Sequence, residues 1–218
     1  MRRQRDWGIR RALYWYLMTR LARLGVRVNY VFVASPLANR DYIELPDGYV
    51  NRAVSLEELA PFVDKVDGLD AAFFALAVAH DDWCIASFFH DQLVGYSFLS
   101  HSRTLASKQL DIIVPDGFSY SYKSWTDPEH RLARLSSSRL YHSNIAFPDS
   151  KRSFYYVETH NYASLLRGYR PLSQRRIHAG YIGWFTWFGR QIPFASRRAL
   201  WLGVEFVPRG ETRERYYA

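Results

Sequence analysis

Residues 118–125 (FSYSYKSW) alternate small polar residues with aromatics at the two-residue period of a strand. Thr126, Asp127 and Pro128 punctuate that run, and 129–147 (EHRLARLSSSRLYHSNIAF) reads as a helix with Pro in its first turn and Thr126 or Asp127 as cap. A second strand, SFYYVE (153–158), follows, and then a turn opening on Asn161 and Ser164. A strand that delivers its end to a helix N-terminus makes an anion site, because unpaired N–H groups and the helix dipole point there. Upstream, residues 1–25 carry a helical pattern ending at Gly25, and 26–33 (VRVNYVFV) read as extended. After a loop over 34–48, GYVNRAV (48–54) reads as a strand. SLEELAPFVDKV (55–66) reads as a helix with Ser55 and Glu58 in a capping box, kinked or delayed by Pro61. The helical pattern resumes over 68–80; WCIASFFH (83–90) and QLVGYSFLSHS (92–102) form a hairpin across Asp91. Residues 103–117 are ambiguous between strand and loop. RRIHAGYIGWFTWF (175–188) and RRALWLGVEFVPR (197–209) read as two strands joined by GRQIPFAS (189–196).

Three pieces, LVGYSFLSHS (93–102), PEHRLARLS (128–136) and THNYASLLRGY (159–169), together resemble the GNAT superfamily of N-acyltransferases. They stand where that family carries its L-V-G strand, its P-x-x-R-G-x-G-x-G/A loop and its N-x-x-S…G-[FY] element, in the same order, across roughly residues 48–188. Arg131 keeps the loop's arginine, whereas Leu132, Arg134 and Ser136 replace its three glycines. The resemblance implies a mixed, mainly antiparallel twisted α/β sheet flanked by helices. It implies direct transfer of an acetyl or longer acyl group from acyl-CoA to an amine. Trp125, Thr126, Arg131, Leu132, Ala133, Arg134, Leu135 and Ser136, with Asn161 and Ser164, would hold the donor. Glu158 is the candidate base, with His160 and His142 behind it, and Tyr169 or Tyr162 the candidate acid for the departing thiolate. In the family, bare glycine backbone approaches the pyrophosphate, and hydrogen bonds to a charged acceptor contribute about 1.5–3 kcal/mol each. Losing two such bonds leaves three outcomes open. Arg131, Arg134 and Arg139 hold the phosphates instead; an acylated carrier protein replaces coenzyme A; or the chain is a non-catalytic binding or scaffold module.

At 218 residues and 48% hydrophobic content, the chain can bury a core without metals or disulfides. Its one cysteine, Cys84, excludes an internal disulfide framework, and the seven histidines follow no metal-ligand spacing. The net charge of +8 is concentrated at the start: residues 1–40 hold nine Arg and one acid, Asp6, whereas 41–218 are balanced. The sequence thus divides into a basic N-terminal extension, 1–40, and an acyltransferase-like domain, 41–218. In the extension Leu13, Leu17, Leu21 and Leu24 share one helical face, with arginines around them. Such a helix suits an anionic membrane surface, docking on the domain, or a homodimer contact, and its charge suits an acidic carrier protein. No nucleic-acid-binding motif accompanies the arginines. The apolar run Ala12 to Met18 is too short to span a bilayer, and no signal-peptide cleavage site follows. The expected setting is cytoplasmic, peripheral at the inner membrane surface, with an amine-bearing small molecule or lipid-like acceptor.

Overall fold

The computed structural model describes residues 9–36, 44–131, 133–147, 152–159, 161, 165 and 174–210. Helix α1 (Ile9–Arg23) leads into β1 (Val26–Pro36), and then come β2 (Tyr49–Val54), α2 (Leu56–Leu59), a 3-10 turn (Ala60–Phe62) and α3 (Ala71–Ala79). Strands β3 (Trp83–Phe89), β4 (Gln92–Ser100), β5 (Thr104–Leu105), β6 (Leu110–Ile112) and β7 (Phe118–Thr126) follow. A 3-10 turn (Pro128–His130) precedes α4 (Leu135–Ala146), and β8 is Arg152–Glu158. The chain closes with β9 (Gln174–Trp187), β10 (Arg190–Ala195), α5 (Arg197–Trp201) and β11 (Phe206–Pro208).

The main sheet has eight strands in the order β10-β9-β1-β8-β7-β4-β3-β2, and β11-β6-β5 form a small second sheet. Every neighbouring pair is antiparallel except β7 and β8. This is the mixed, mainly antiparallel α/β fold expected from the sequence. One face buries Leu59 of α2, Ala77 of α3 and Leu69 from the loop between them on Cys84, Tyr96 and Phe98. The same face, further along, meets the small sheet and α5 through Val31, Phe154, Ile182, Leu110 and Phe206. On the opposite face lie α4, α1 and a cluster of Phe32, Val157 and Leu165. Strand alternation divides β1 between the two, with Val31 and Val33 on one side and Phe32 on the other.

Several elements differ from the sequence reading. The extended segment 26–33 does not stand apart from the domain: β1 is hydrogen-bonded between β8 and β9, so the sheet runs across residue 40 rather than beginning after it. Ser55 caps α2 as expected, its Oγ accepting the Glu58 N–H at 3.1 Å, but Pro61 turns the continuation into 3-10 geometry. Residues 189–196, read as a connection, contain strand β10. Residues 197–209, read as a strand, hold α5, capped by Ser196, and only the short β11. The ambiguous 103–117 stretch supplies the paired β5 and β6. Among the described residues no helix is long and apolar enough to cross a membrane.

Candidate functional site

Strands β7 and β8 pair only through Phe118↔Arg152, Ser119↔Ser153 and Tyr120↔Phe154. Beyond Tyr120 each follows its outer neighbour: β7 stays with β4 as far as Gly95↔Thr126, and β8 stays with β1 as far as Asn29↔Glu158. The sheet therefore opens between residues 122–126 and 156–158. A bulge helps to turn β7 away, for Lys123 has φ 42° and the β4–β7 register shifts beside it.

The segment joining β7 to α4 leaves the end of β7 at this opening and runs over β4 towards β2. The Asp127 N–H donates to the Val94 carbonyl at 2.9 Å, and the Asp127 carboxylate accepts the Glu129 N–H at 2.9 Å. His130 Nδ1 meets the Tyr49 hydroxyl at 2.8 Å, tying the 3-10 turn to β2. The helix expected from residue 129 starts only at Leu135, because Pro128 initiates a single 3-10 turn and Arg134 then breaks the backbone direction. Arg134 is left-handed, with φ 58° and ψ 15°, a conformation that favours glycine. One of the three glycine positions thus keeps a glycine-like backbone while carrying an arginine. No side chain from Arg134 caps α4, whose first turn is tied to β2 where Asn51 Nδ2 donates to the Leu135 carbonyl at 3.2 Å. Arg131, Arg134 and Ser136 are exposed, Ala133 is half-buried and Leu135 is buried. Arg131 Nε donates to the Thr126 carbonyl at 3.2 Å.

Arg139 does not serve this surface, contrary to the sequence reading that grouped it with Arg131 and Arg134 as a phosphate ligand. It is 1% exposed, sunk between α4 and the sheet. Nε donates to Ser97 Oγ at 3.0 Å and Nη1 to Ser87 Oγ at 2.7 Å. Nη2 donates to the Trp125 carbonyl at 2.9 Å, to Thr126 Oγ1 at 2.8 Å and to Ser124 Oγ at 3.4 Å. An arginine in a polar helix reads as solvated; the serines at 87, 97 and 124, one on each of three strands, are the signal of a buried partner.

On the other face of the opening stands a tyrosine ladder that sequence reasoning missed. Tyr120 stacks on Tyr122 (centroids 5.4 Å apart) and on Tyr156 (5.7 Å), reaching across the parallel pair. Burial raises all three hydroxyl pKa values above the ordinary tyrosine range, so they remain neutral donors. The Tyr122 hydroxyl donates to the buried carboxylate of Asp82, which burial pushes up and the hydrogen bonds from Ser100 and Tyr122 partly restrain. Glu158 lies two residues beyond Tyr156, hence on the same face, ion-paired to Arg27 at 2.9 Å. With Arg27, Thr159, Val28 and the α1 residues Met18 and Leu21 it lines a shallow surface depression. His142 is half-buried on α4, across the sheet from Glu158, and burial lowers its pKa. The exposed Asn161 follows β8, its N–H donating to the Glu158 carbonyl at 2.8 Å. Thus Trp125 and Thr126, with Arg131 bonded to the latter, stand on one side of the opening and Glu158 and Asn161 on the other, while Ala133, Arg134, Leu135 and Ser136 follow in the segment that leads away to β2. Leu132, His160, Tyr162, Ser164 and Tyr169 lie outside the described residues. Cys84 is buried on β3, its thiol pushed up to about 12 by burial, which removes it as a nucleophile.

No protein-family model and no curated protein matches this chain. Among solved structures, it is similar to a functionally unknown conserved protein from Staphylococcus epidermidis, with 13% identity over 76% of this chain and a TM-score of 0.46. It is also similar to GCN5-related N-acetyltransferases from Kribbella flavida (14% identity, 90% of this chain, TM-score 0.43) and Sphaerobacter thermophilus (10%, 88%, 0.43). The chain spans 64%, 64% and 56% of the lengths of these three proteins.

Proposed function

We propose that this chain is an N-acyltransferase that moves an acyl group from a coenzyme A thioester directly to an amine. The observation that carries the reading is the parting of β7 from β8 at the end of the strand that feeds, through a left-handed Arg134, into α4. A thioester arm laid in that opening meets a β7 backbone held in place, because Arg139 grips the Trp125 carbonyl and Thr126 Oγ1. A trans peptide sets its N–H opposite its C=O. Anchoring the Trp125 carbonyl therefore fixes the direction of the Thr126 N–H, the candidate donor to the tetrahedral oxyanion. The amine nitrogen attacks the thioester carbonyl, the carbon–sulfur bond breaks, and the thiolate takes a proton. Glu158 is the candidate acceptor of the ammonium proton, directly or through water. The hydroxyls of Tyr156 and Tyr120, kept neutral by burial, are candidate donors to the leaving sulfur. Arg131 and Arg134 supply charge where the family's glycines supply bare backbone, which suits either coenzyme A phosphates or the phosphopantetheine of an acylated carrier protein.

A second reading is a non-catalytic binding module, favoured by the side chains of Arg134 and Ser136 standing where a pyrophosphate would approach backbone. Thermal unfolding with acetyl-CoA, a long-chain acyl-CoA and an acylated carrier protein in parallel separates the two. A donor at 100 times its dissociation constant stabilises by about 2.7 kcal/mol. A shift with one donor supports acyl transfer and selects the acyl length. No shift with any of the three, in a folded sample, leaves the module.

A further inference from the structure

Helix α1 rests on the domain by a face that includes Leu21 but not its other leucines. Tyr14, Met18, Leu21 and Ala22 turn towards β1, the Tyr14 and Tyr30 hydroxyls sharing a hydrogen bond at 3.1 Å. Leu13, Leu17 and Leu24 remain 65%, 51% and 75% exposed. On an ideal helix these three and Arg20 fall within one narrow arc, flanked by Tyr16 and Arg23, which are exposed as well. The stripe expected from the sequence is therefore real but, apart from Leu21, does not dock on the domain.

The end of this helix meets a second apolar feature. The Thr186 N–H donates to the Gly25 carbonyl at 3.0 Å, so Leu24 and Gly25 sit beside the tip of the β9–β10 hairpin. That tip is Trp187, Phe188 and Gly189, with Trp187 61% and Phe188 91% exposed. Phe188 and Gly189 have φ 44° and 77°, the two left-handed positions of a tight hairpin turn in which Asn-Gly is the ordinary choice. A phenylalanine there is conformationally costly and buries nothing in the fold. Residues 9–36 and 174–204, which supply both features, carry five arginines each and no Asp or Glu.

We propose that this end of the molecule docks on a bilayer containing anionic lipid. Trp187 and Phe188 enter the boundary between headgroups and acyl chains, Leu24 and Leu17 lie beside them, and Arg20, Arg23 and Arg190 sit at the phosphates. The charge excludes a second copy as occupant, since a two-fold contact through this surface would oppose arginine to arginine. A protruding two-residue tip with Trp and Phe suits a deformable interface that receives aromatic rings, which amphipathic Trp prefers.

Co-sedimentation of the full chain with vesicles of equal parts phosphatidylglycerol and phosphatidylcholine, and with pure phosphatidylcholine, tests this. Binding is expected to the anionic vesicles alone, weakening as salt rises, with a blue shift of tryptophan emission. Phe188→Asn keeps a residue suited to the turn, so its folding is secure. Combined with Trp187→Ser it should lower vesicle partitioning by about tenfold with an unchanged Tm. Absence of binding to anionic vesicles, or equal binding by wild type and the double variant, overturns the proposal. So does a concentration-dependent dimer that the double variant abolishes, or capture of an acidic carrier protein through this tip without vesicles.

Discussion

Gly95 on β4 leaves the space that the Arg139 guanidinium fills: a Cβ at Gly95 would collide with Nη1 and stand 3.1 Å from the Trp125 carbonyl oxygen. The glycine of the L-V-G segment and an arginine of the helix after β7 thus form one unit, 44 residues apart in sequence. That unit sets where α4 lies against β3, β4 and β7 and how the end of β7 is presented to the opening.

Substitution at either member should be costly, and the two costs should not add. Gly95→Ala forces the guanidinium or the strand to move, an overpacking penalty of about 1–3 kcal/mol. Arg139→Met removes hydrogen bonds to Ser87, Ser97 and Trp125, each of about 1.5–3 kcal/mol when the donor is charged. Once Arg139 is shortened, the added methyl at 95 has room. The double variant should therefore be more stable than the sum of the singles by 0.5 kcal/mol or more, on the order usual for groups in contact. Urea unfolding of the four proteins reads this directly; strict additivity would show that a methyl at 95 is opposed by something other than the Arg139 side chain.

The fold class was legible through the resemblance carried by three ordered pieces, and single elements through local cues: the two-residue alternation in β7 and the caps at Ser55 and at Gly25 after α1. Where β1 pairs was not, since its partners Tyr156 and Gly180 lie more than 120 residues away and nothing in VRVNYVFV names them. The start of α4 was misplaced because proline suits a 3-10 turn as well as a first helical turn. The C-terminal stretch was misread because five residues behind a serine cap suffice to make α5, and the aromatic content outweighed that cap. At the site, resemblance located the loop at 126–136. It could not reveal that Arg139 points inward or that Tyr120 and Tyr156 meet across the parallel pair, since both depend on which face each strand presents.

Arg134 is the position at which the loop can be returned to glycine with a gain. A left-handed non-glycine residue costs about 1–2 kcal/mol, and glycine recovers part of that after its own loss of unfolded-state entropy. Arg134→Gly should stabilise by about 0.5–1 kcal/mol, a rise in Tm of roughly 1–4 °C for a chain of this size. Differential scanning calorimetry checks it. A fall in Tm would mean that the Arg134 side chain contributes more than its backbone costs.

Glu158→Gln separates proton transfer from donor binding. The carboxylate lies on the far side of the opening from Arg131 and Arg134, so the thermal shift given by an acyl donor should survive the change. Turnover should fall by about 10² to 10⁴, the ordinary contribution of a general base. Tyr156→Phe should leave donor binding equally intact and lower kcat by a smaller factor, since Tyr120 stands beside it. Unchanged turnover in Glu158→Gln would remove Glu158 from the reaction and leave it as the ion-pair partner of Arg27.

Asp82 makes the fold sensitive to pH in a direction opposite to most carboxylates. It is 3% exposed, faced by the hydroxyls of Tyr122 and Ser100 and by the rings of His80 and His101. Burial dominates and raises its pKa above the unfolded value, so the native state holds this proton more tightly than the unfolded chain does. The stability that the proton brings is complete below about pH 4, where an unfolded Asp titrates. It is lost as pH rises through the raised native value, because the native state then binds more protons than the unfolded one and the slope of stability against pH is negative. Asp82→Asn keeps an acceptor for Tyr122 and removes the titration. The variant should therefore match or trail the wild type near pH 4 and gain on it steadily towards pH 7, as read from urea midpoints across that range. Parallel curves would show that the carboxylate is as well solvated in the folded chain as in the unfolded one, and that the Tyr122 hydrogen bond offsets its burial in full.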